Sequence, residues 1–265
     1  MGFRTIAYSI TSAATTFTAA TCLTDDSITK IDSTHYKVPS QNLVLASYGY
    51  GTHLNQYQIK TPSLSGGNKL PVEIDDVDKT ATQPTVTTPP LVDLSAQPVQ
   101  LVAGEGLEAD IITDGTSAAA YVIYWLGDGM NDFAEGQFMP GVRATSSTTL
   151  TAGAWTNCTL TFDYSLPAGG YAVVGMRAES ATGIAARLVF PELGPRPGVL
   201  AGTATAIRPY FRATQQYGRS FPAAAPAGRF ISWGSFVQDS PPSVDYLAVA
   251  ADTAEQVVLD LVKIA

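Results

Sequence analysis

Asn157-Cys-Thr-Leu-Thr-Phe-Asp-Tyr164 sets the reading of this chain. Cys158, Leu160, Phe162 and Tyr164 alternate strictly with Asn157, Thr159, Thr161 and Asp163. A period of two places the apolar set on one face and the polar set on the other, as in a half-buried strand. The same period recurs at Thr5–Ile10, where Ile6, Tyr8 and Ile10 oppose Thr5, Ala7 and Ser9. β-rich runs follow at Leu43–Tyr50, Gln100–Val102, Leu107–Thr113, Ala119–Leu126, Tyr171–Arg177, Ile184–Phe190, Arg229–Phe236 and Val244–Ala250. Gly and Pro punctuate them, at Gly127-Asp-Gly129, Pro167-Ala-Gly-Gly170 and Pro241-Pro242 among others. The expectation is an all-β chain of about 16 to 20 short strands, arranged as antiparallel barrels or sandwiches with few or no helices.

One segment supports two readings. Asp252-Thr-Ala-Glu255 has capping-box spacing, and Ala254, Val257, Val258, Leu261 and Val262 form a helical stripe. Val257, Leu259 and Leu261 also alternate, as in a closing strand. The Pro/Thr-rich stretch Thr82–Pro98 favours extended backbone and suits a linker. It would divide the chain into an N-terminal β unit, 1–95, and a C-terminal unit, 96–265. A boundary near Gly141 would instead give two halves of similar size.

Charge is unevenly placed. Thr80–Val142 holds eight carboxylates and no Lys or Arg, whereas Arg177–Arg229 holds seven Arg against Glu179 and Glu192. Opposed blocks of this kind suit contacts between copies of one chain, with Asp110, Asp114, Arg208 and Arg212 as interface candidates. The net charge of -8 argues against a dedicated nucleic-acid binder, which needs a basic face. The longest apolar run, Ala118–Leu126, is far short of the roughly 20 residues of a membrane helix. No charged region precedes a long apolar stretch at the N-terminus, so no signal peptide is expected.

Chemistry-bearing motifs are sparse. His35 and His53 are the only histidines, and both occupy polar, turn-like surroundings that suit surface or hydrogen-bonding roles. There is no HExxH, GxSxG or GK[ST] pattern. Gly104-Glu-Gly-Leu-Glu-Ala109 matches a dinucleotide fingerprint only in form: Glu105 and Glu108 would repel phosphates, and Leu107–Thr113 continues as a strand. Asp128, Asn131 and Asp132 offer oxygen ligands for calcium, though a solvated acidic loop is the commoner outcome. Trp125, Trp155 and Trp233 serve either a sugar-stacking platform or, as aromatic residues more often do, a core. Cys22 and Cys158 lack metal spacing, and Cys158 reads as a buried free thiol. No catalytic residue and no cofactor is assigned.

Leu166-Pro-Ala-Gly-Gly-Tyr-Ala-Val-Val-Gly-Met176, Ile184-Ala-Ala-Arg-Leu-Val-Phe190, Arg196-Pro-Gly198, Trp233-Gly-Ser-Phe236, Pro241-Pro-Ser-Val-Asp245 and the closing Ala251–Ile264 carry a resemblance. Together they resemble the double jelly-roll major capsid proteins of tailless icosahedral, often membrane-containing, bacterial and archaeal viruses. The resemblance covers roughly the last hundred residues by texture, and the whole chain only by length and strand count. It implies two jelly rolls side by side, trimers, and a virion shell assembled from copies made in the host cytoplasm. Its implied partners are other copies, other capsid or vertex proteins and an internal membrane surface, without sequence-specific nucleic acid. It supplies no catalytic residues. A carbohydrate- or receptor-binding β module, such as a spike or lectin, is the alternative function.

Overall fold

The computed structural model describes residues 3–24, 29–40, 42–51, 53–64, 69–73, 91–94, 96–128, 132–192, 196–202 and 230–264. Every regular element among them is a strand, 22 in all. Two compact units emerge, one formed by Thr5–Gly129 and the other by Met130–Ala265 with Met1–Arg4. The division falls later than the Pro/Thr-rich stretch. Strands beyond residue 98 pair back onto the first unit and complete it. Residues 82–90 of that stretch lie outside the described residues.

In the first unit the strands are β1 (Arg4–Ser12), β2 (Thr18–Ala19), β3 (Thr21–Cys22), β4 (Tyr36–Lys37), β5 (Asn42–Tyr50), β6 (Leu54–Lys60), β7 (Lys69–Glu73), β8 (Leu91–Asp93), β9 (Val99–Leu101), β10 (Gly106–Thr113) and β11 (Ala118–Gly127). One sheet runs β3-β1-β11-β5-β8, with β9 also on β5. The other runs β2-β10-β6-β7, with β4 also on β10.

The second unit holds β12 (Phe133–Ala134), β13 (Gln137–Ser146), β14 (Trp155–Cys158), β15 (Thr161–Phe162), β16 (Gly170–Glu179), β17 (Gly183–Val189), β18 (Gly198–Gly202), β19 (Phe230–Ile231), β20 (Gly234–Val237), β21 (Ser243–Ala248) and β22 (Glu255–Lys263). Here β13-β22-β16-β20 and β14-β21-β17-β18 form two faces. They are joined where β16 pairs in parallel with β18, at Ala178↔Ala201 and Glu179↔Gly202.

Counting main strands along each unit, with a split strand as one, both units show the same arrangement. The first, eighth, third and sixth strands make one sheet, and the second, seventh, fourth and fifth make the other. That interleaving of two Greek keys is a jelly roll. The chain is therefore a double jelly roll, as the family resemblance implies.

The opening stretch 157–164 is the second strand of its unit, and it is not one continuous strand. Trp155–Cys158 pairs with β21 of one sheet, whereas Thr161–Phe162 pairs with β13 of the other. The alternation survives the switch: Cys158 and Leu160 are buried and Asn157, Thr159 and Thr161 are exposed. Tyr164, expected on the apolar face, lies past the strand and is exposed. In the first unit β2 pairs with β10 and β3 with β1, so the second strand switches sheets there too.

Tyrosines brace the two sheets of each barrel. In the first unit the Tyr8 hydroxyl donates to the Leu107 carbonyl at 2.5 Å, and Tyr57 Oη lies 2.8 Å from Ser47 Oγ. In the second, Tyr246 donates to the Gln256 carbonyl at 2.7 Å. Burial raises the pKa of all three, so their hydroxyls remain neutral. Trp125 and Trp233 are core residues, and Cys22 and Cys158 are buried free thiols.

The closing segment is a strand. β22 lies between β13 and β16, with Leu259 opposite Val142 on one side and Met176 on the other. Two ladders and a two-sided apolar contact outweigh the local capping box, because tertiary packing overrides propensity. Leu259→Ala should cost about 2–5 kcal/mol, read from urea unfolding of the whole chain.

Glu255, at the start of β22, is only 1% exposed, and no cation or hydrogen-bonding side chain pairs with it among the described residues. Burial raises its pKa, with the Asp252 charge adding to the shift and the backbone amides of Glu255 and Ala254 opposing it. The folded state then holds this proton after the unfolded chain has lost it, so stability falls as pH rises through the glutamate range. Glu255→Gln should remove that decline, leaving a flatter profile of unfolding free energy between acid and neutral pH. An unchanged slope would contradict this.

Candidate functional site

β10 alternates Leu107, Ala109 and Ile111 into the core with Glu108 and Asp110 on the opposite face. Its neighbour β6 sends Tyr57 and Ile59 inward and Gln58 and Lys60 outward. Antiparallel register sets Glu108 opposite Lys60 and Asp110 opposite Gln58. Four polar side chains thus converge on the outer face of one sheet.

The segment before β5 partly covers them. Asp32 Oδ1 accepts from the backbone N–H of Thr34 at 2.8 Å and of His35 at 3.0 Å, fixing a tight Asx-type turn. The same carboxylate lies 2.8 Å from His35 Nδ1, and His35 Nε2 lies 2.7 Å from Glu108 Oε2. The imidazole is therefore held between two carboxylates. β4 continues onto β10 through Gly106↔Lys37 and Leu107↔Tyr36. Gly106 leaves room for this ring, because a Cβ would stand 2.8 Å from His35 Cδ2 and the imidazole would have to shift.

On its other oxygen Glu108 accepts from Lys60 Nζ at 3.0 Å, and Lys60 lies 3.7 Å from Asp110 Oδ2. Gln58 Nε2 donates to that Asp110 oxygen at 2.5 Å. Glu108 is 3% and Asp110 6% exposed. Burial, reinforced by the hydrogen bond to Asp110, raises the Glu108 pKa against the opposing pull of Lys60. Burial alone would lower the Lys60 pKa, but the Glu108 hydrogen bond and both carboxylate charges raise it. The hydrogen bond from His35, with the Thr34 amide adding to it, holds Asp32 well below the usual carboxylate range. A cavity of about 280 Å³ opens beside this cluster, lined by Ile31, Asp32, His35, Lys60, Thr61 and Glu108 among others.

The interface candidates separate. Asp110 is buried in this cluster. Asp114 is exposed, 2.8 Å from His53 Nδ1, and that hydrogen bond, with help from the Thr116 amide, brings its pKa down to about 2. Arg208 and Arg212 lie outside the described residues, as does Asn131 of the calcium candidates. Among the described residues no group of three or more His, Cys, Asp or Glu is placed to hold a metal ion. Both histidines take the hydrogen-bonding role expected of them.

Several described members of the two charge blocks find partners inside their own units. Glu105 accepts from Ser63 and the Val102 amide. Arg177 pairs with Asp260, and Arg187 and Arg196 share Asp245 at 3.0 and 2.9 Å. Arg187 also stacks on Trp155, 4.0 Å from the ring centroid, so Trp155 belongs to this buried cluster. Lys60, Gln58 and Asp32 have no place in a reading by charge block. The signal for them was present in alternation: Gln56, Gln58 and Lys60 form one polar row, and Glu108 and Asp110 another.

No protein-family model matches the chain, and no curated protein matches its sequence. Among solved structures it is similar to the crystal structure of the STIV MCP, at 12% identity and a TM-score of 0.28, over 99% of this chain and 97% of that one. It is similar to the major capsid protein P2 from Bacteriophage PM2 at 10% identity and a TM-score of 0.25, over 100% and 97% of the two chains. The atomic structure of Sulfolobus Turreted Icosahedral Virus matches at 11% identity and a TM-score of 0.26, over 99% and 91%. The double jelly-roll assignment stands on the strand order of the two units, apart from these likenesses.

Gly106→Ala is expected to push His35 off Glu108 and to lower stability by about 1–3 kcal/mol, the usual cost of overpacking. Histidine ring NMR shifts and urea unfolding would read the two effects. An unmoved His35 signal would refute the stated role of the glycine.

Proposed function

We propose that this chain is a structural protein of a virus shell, self-assembling as trimers within an icosahedral capsid. The observation that carries the reading is the tandem of two jelly rolls with one shared strand order. Jelly rolls serve as shell-building and lectin domains, and closed barrels have few open edges to aggregate. A low charged fraction of 14% suits a surface that packs against other copies. Exposed apolar residues offer contact points for such packing. Val237 is 60% and Ile264 44% exposed, beside a groove also lined by Phe236, Pro191 and Gly170 in the second unit.

The proposed partners are other copies, other capsid or vertex proteins and an internal membrane surface. Arg208 and Arg212 are proposed as contacts between copies. Asp114 is the acidic candidate with an exposed carboxylate, whereas Asp110 is buried within its own barrel.

Mass photometry and electron microscopy of the purified chain should find trimers or closed shells. Val237→Glu should shift that distribution toward monomers, with an unaltered circular dichroism spectrum. Reversing Arg208 and Arg212 to Glu should weaken assembly in the same way. A chain that stays monomeric at all concentrations and binds a glycan would overturn the shell reading.

A further inference from the structure

The Lys60, Glu108 and Asp110 cluster places an amine, a carboxylate and a second carboxylate in contact across two neighbouring strands. We propose that Lys60 and Asp110 condense into an intramolecular amide linking β6 to β10, with Glu108 as the proton shuttle. Four observations support this. Lys60 Nζ lies 3.7 Å from Asp110 Oδ2, within reach of the carboxyl carbon after a small side-chain adjustment. Glu108 Oε1 accepts from the same Nζ at 3.0 Å. Gln58 Nε2 already donates to Asp110 Oδ2 at 2.5 Å, where a negative charge would develop during attack. Asp110 Oδ1 is buried and has no hydrogen-bond partner among the described residues, which is costly for a polar oxygen.

The step balances without an added reagent. The Lys60 ammonium passes a proton to Glu108, which hands it to Asp110 Oδ1. The freed amine lone pair attacks Asp110 Cγ, and the electrons of the C=O bond move to Oδ2, held by Gln58. The nitrogen then releases a second proton to Glu108. Glu108 delivers it to Oδ1, the Cγ–Oδ1 bond breaks, and that oxygen leaves as water. One ammonium and one carboxylate become one amide and one water, and Glu108 ends ionised as it began.

The product removes the charge of a buried carboxylate together with that of a half-exposed amine, and eliminates the orphaned oxygen. Holding the groups in place replaces an encounter in solution, the source of large effective molarities. His35 Nε2, 2.7 Å from Glu108 Oε2, positions the shuttle from the far side.

The test is the intact mass of the full, denatured chain, followed by tandem mass spectrometry of its tryptic peptides. The expected mass is one water below that of the sequence, with the peptides containing Lys60 and Asp110 recovered as one branched species. Lys60→Arg keeps the positive charge but should leave the full sequence mass, and Glu108→Gln should leave most of the chain unlinked. Asp110→Asn should form the same amide with loss of ammonia, ending at the wild-type product mass. A folded wild-type chain at the full sequence mass, or a water lost at another site, would overturn the proposal. The readout is a bond within one chain, so it is independent of whether copies assemble.

Discussion

Barrel closure depends on a strand that leaves one sheet and enters the other. In the second unit β14 forms four cross-strand pairs with β21, Thr159 and Leu160 turn, and β15 pairs with β13. In the first unit Ala20 stands at the switch, its amide donating to the Ala109 carbonyl at 2.8 Å between the β2 and β3 pairings. A strand kept wholly in one sheet would leave an edge of the other unpaired along that side, with N–H and C=O groups open to another chain. The switch satisfies those groups and fixes the distance between the sheets. That distance in turn allows a tyrosine on one sheet to reach a backbone carbonyl on the other.

The tyrosine braces explain an otherwise awkward composition. Twelve Tyr in a chain with a low charge content would be a poor choice for a purely apolar interior. A Tyr ring fills core volume while its hydroxyl requires a partner, so each buried Tyr demands a particular carbonyl or hydroxyl on the facing sheet. Tyr8, Tyr57 and Tyr246 each find one. The two barrels share a second device. In each, the outer face of the seventh and fourth strands carries an acid directly opposite a base, Glu108 with Lys60 and Asp245 with Arg187. The second pair is sealed by Arg196 and Trp155. A guanidinium there is a permanent cation with no nucleophilic amine, whereas the Lys60 amine can react.

Much of this fold was legible because period-two alternation is a direct physical consequence of the pleat. Asn157–Thr161, Leu107–Thr113 and Val257–Leu261 all place their apolar sets where alternation assigns them. What alternation could not convey was pairing. Nothing local in Thr159-Leu160 marks a change of sheet, because inward and outward faces are preserved through it. The same limit applies to the domain boundary. A Pro-rich stretch looks like a linker, yet β9, β10 and β11 lie beyond it and complete the first barrel. The site was hidden for a related reason. Reading charge as a linear block merges Glu108 and Asp110 with Asp114, although β10 ends at Thr113 and so holds two buried acids while the exposed one lies just past its end.

That separation changes what the charge layout means. A block of like charge is unfavourable along an extended surface, but the pleat and register distribute these acids among individual partners on the same barrel: Ser63 for Glu105, His35 and Lys60 for Glu108, Gln58 for Asp110 and His53 for Asp114. These partners hold each carboxylate in place on its own barrel, and Lys60 brings a countercharge to Glu108. In the assembly proposed above, contacts between copies would draw on shape and on exposed apolar groups such as Val237, Ile264 and Phe138 as well as on exposed charge.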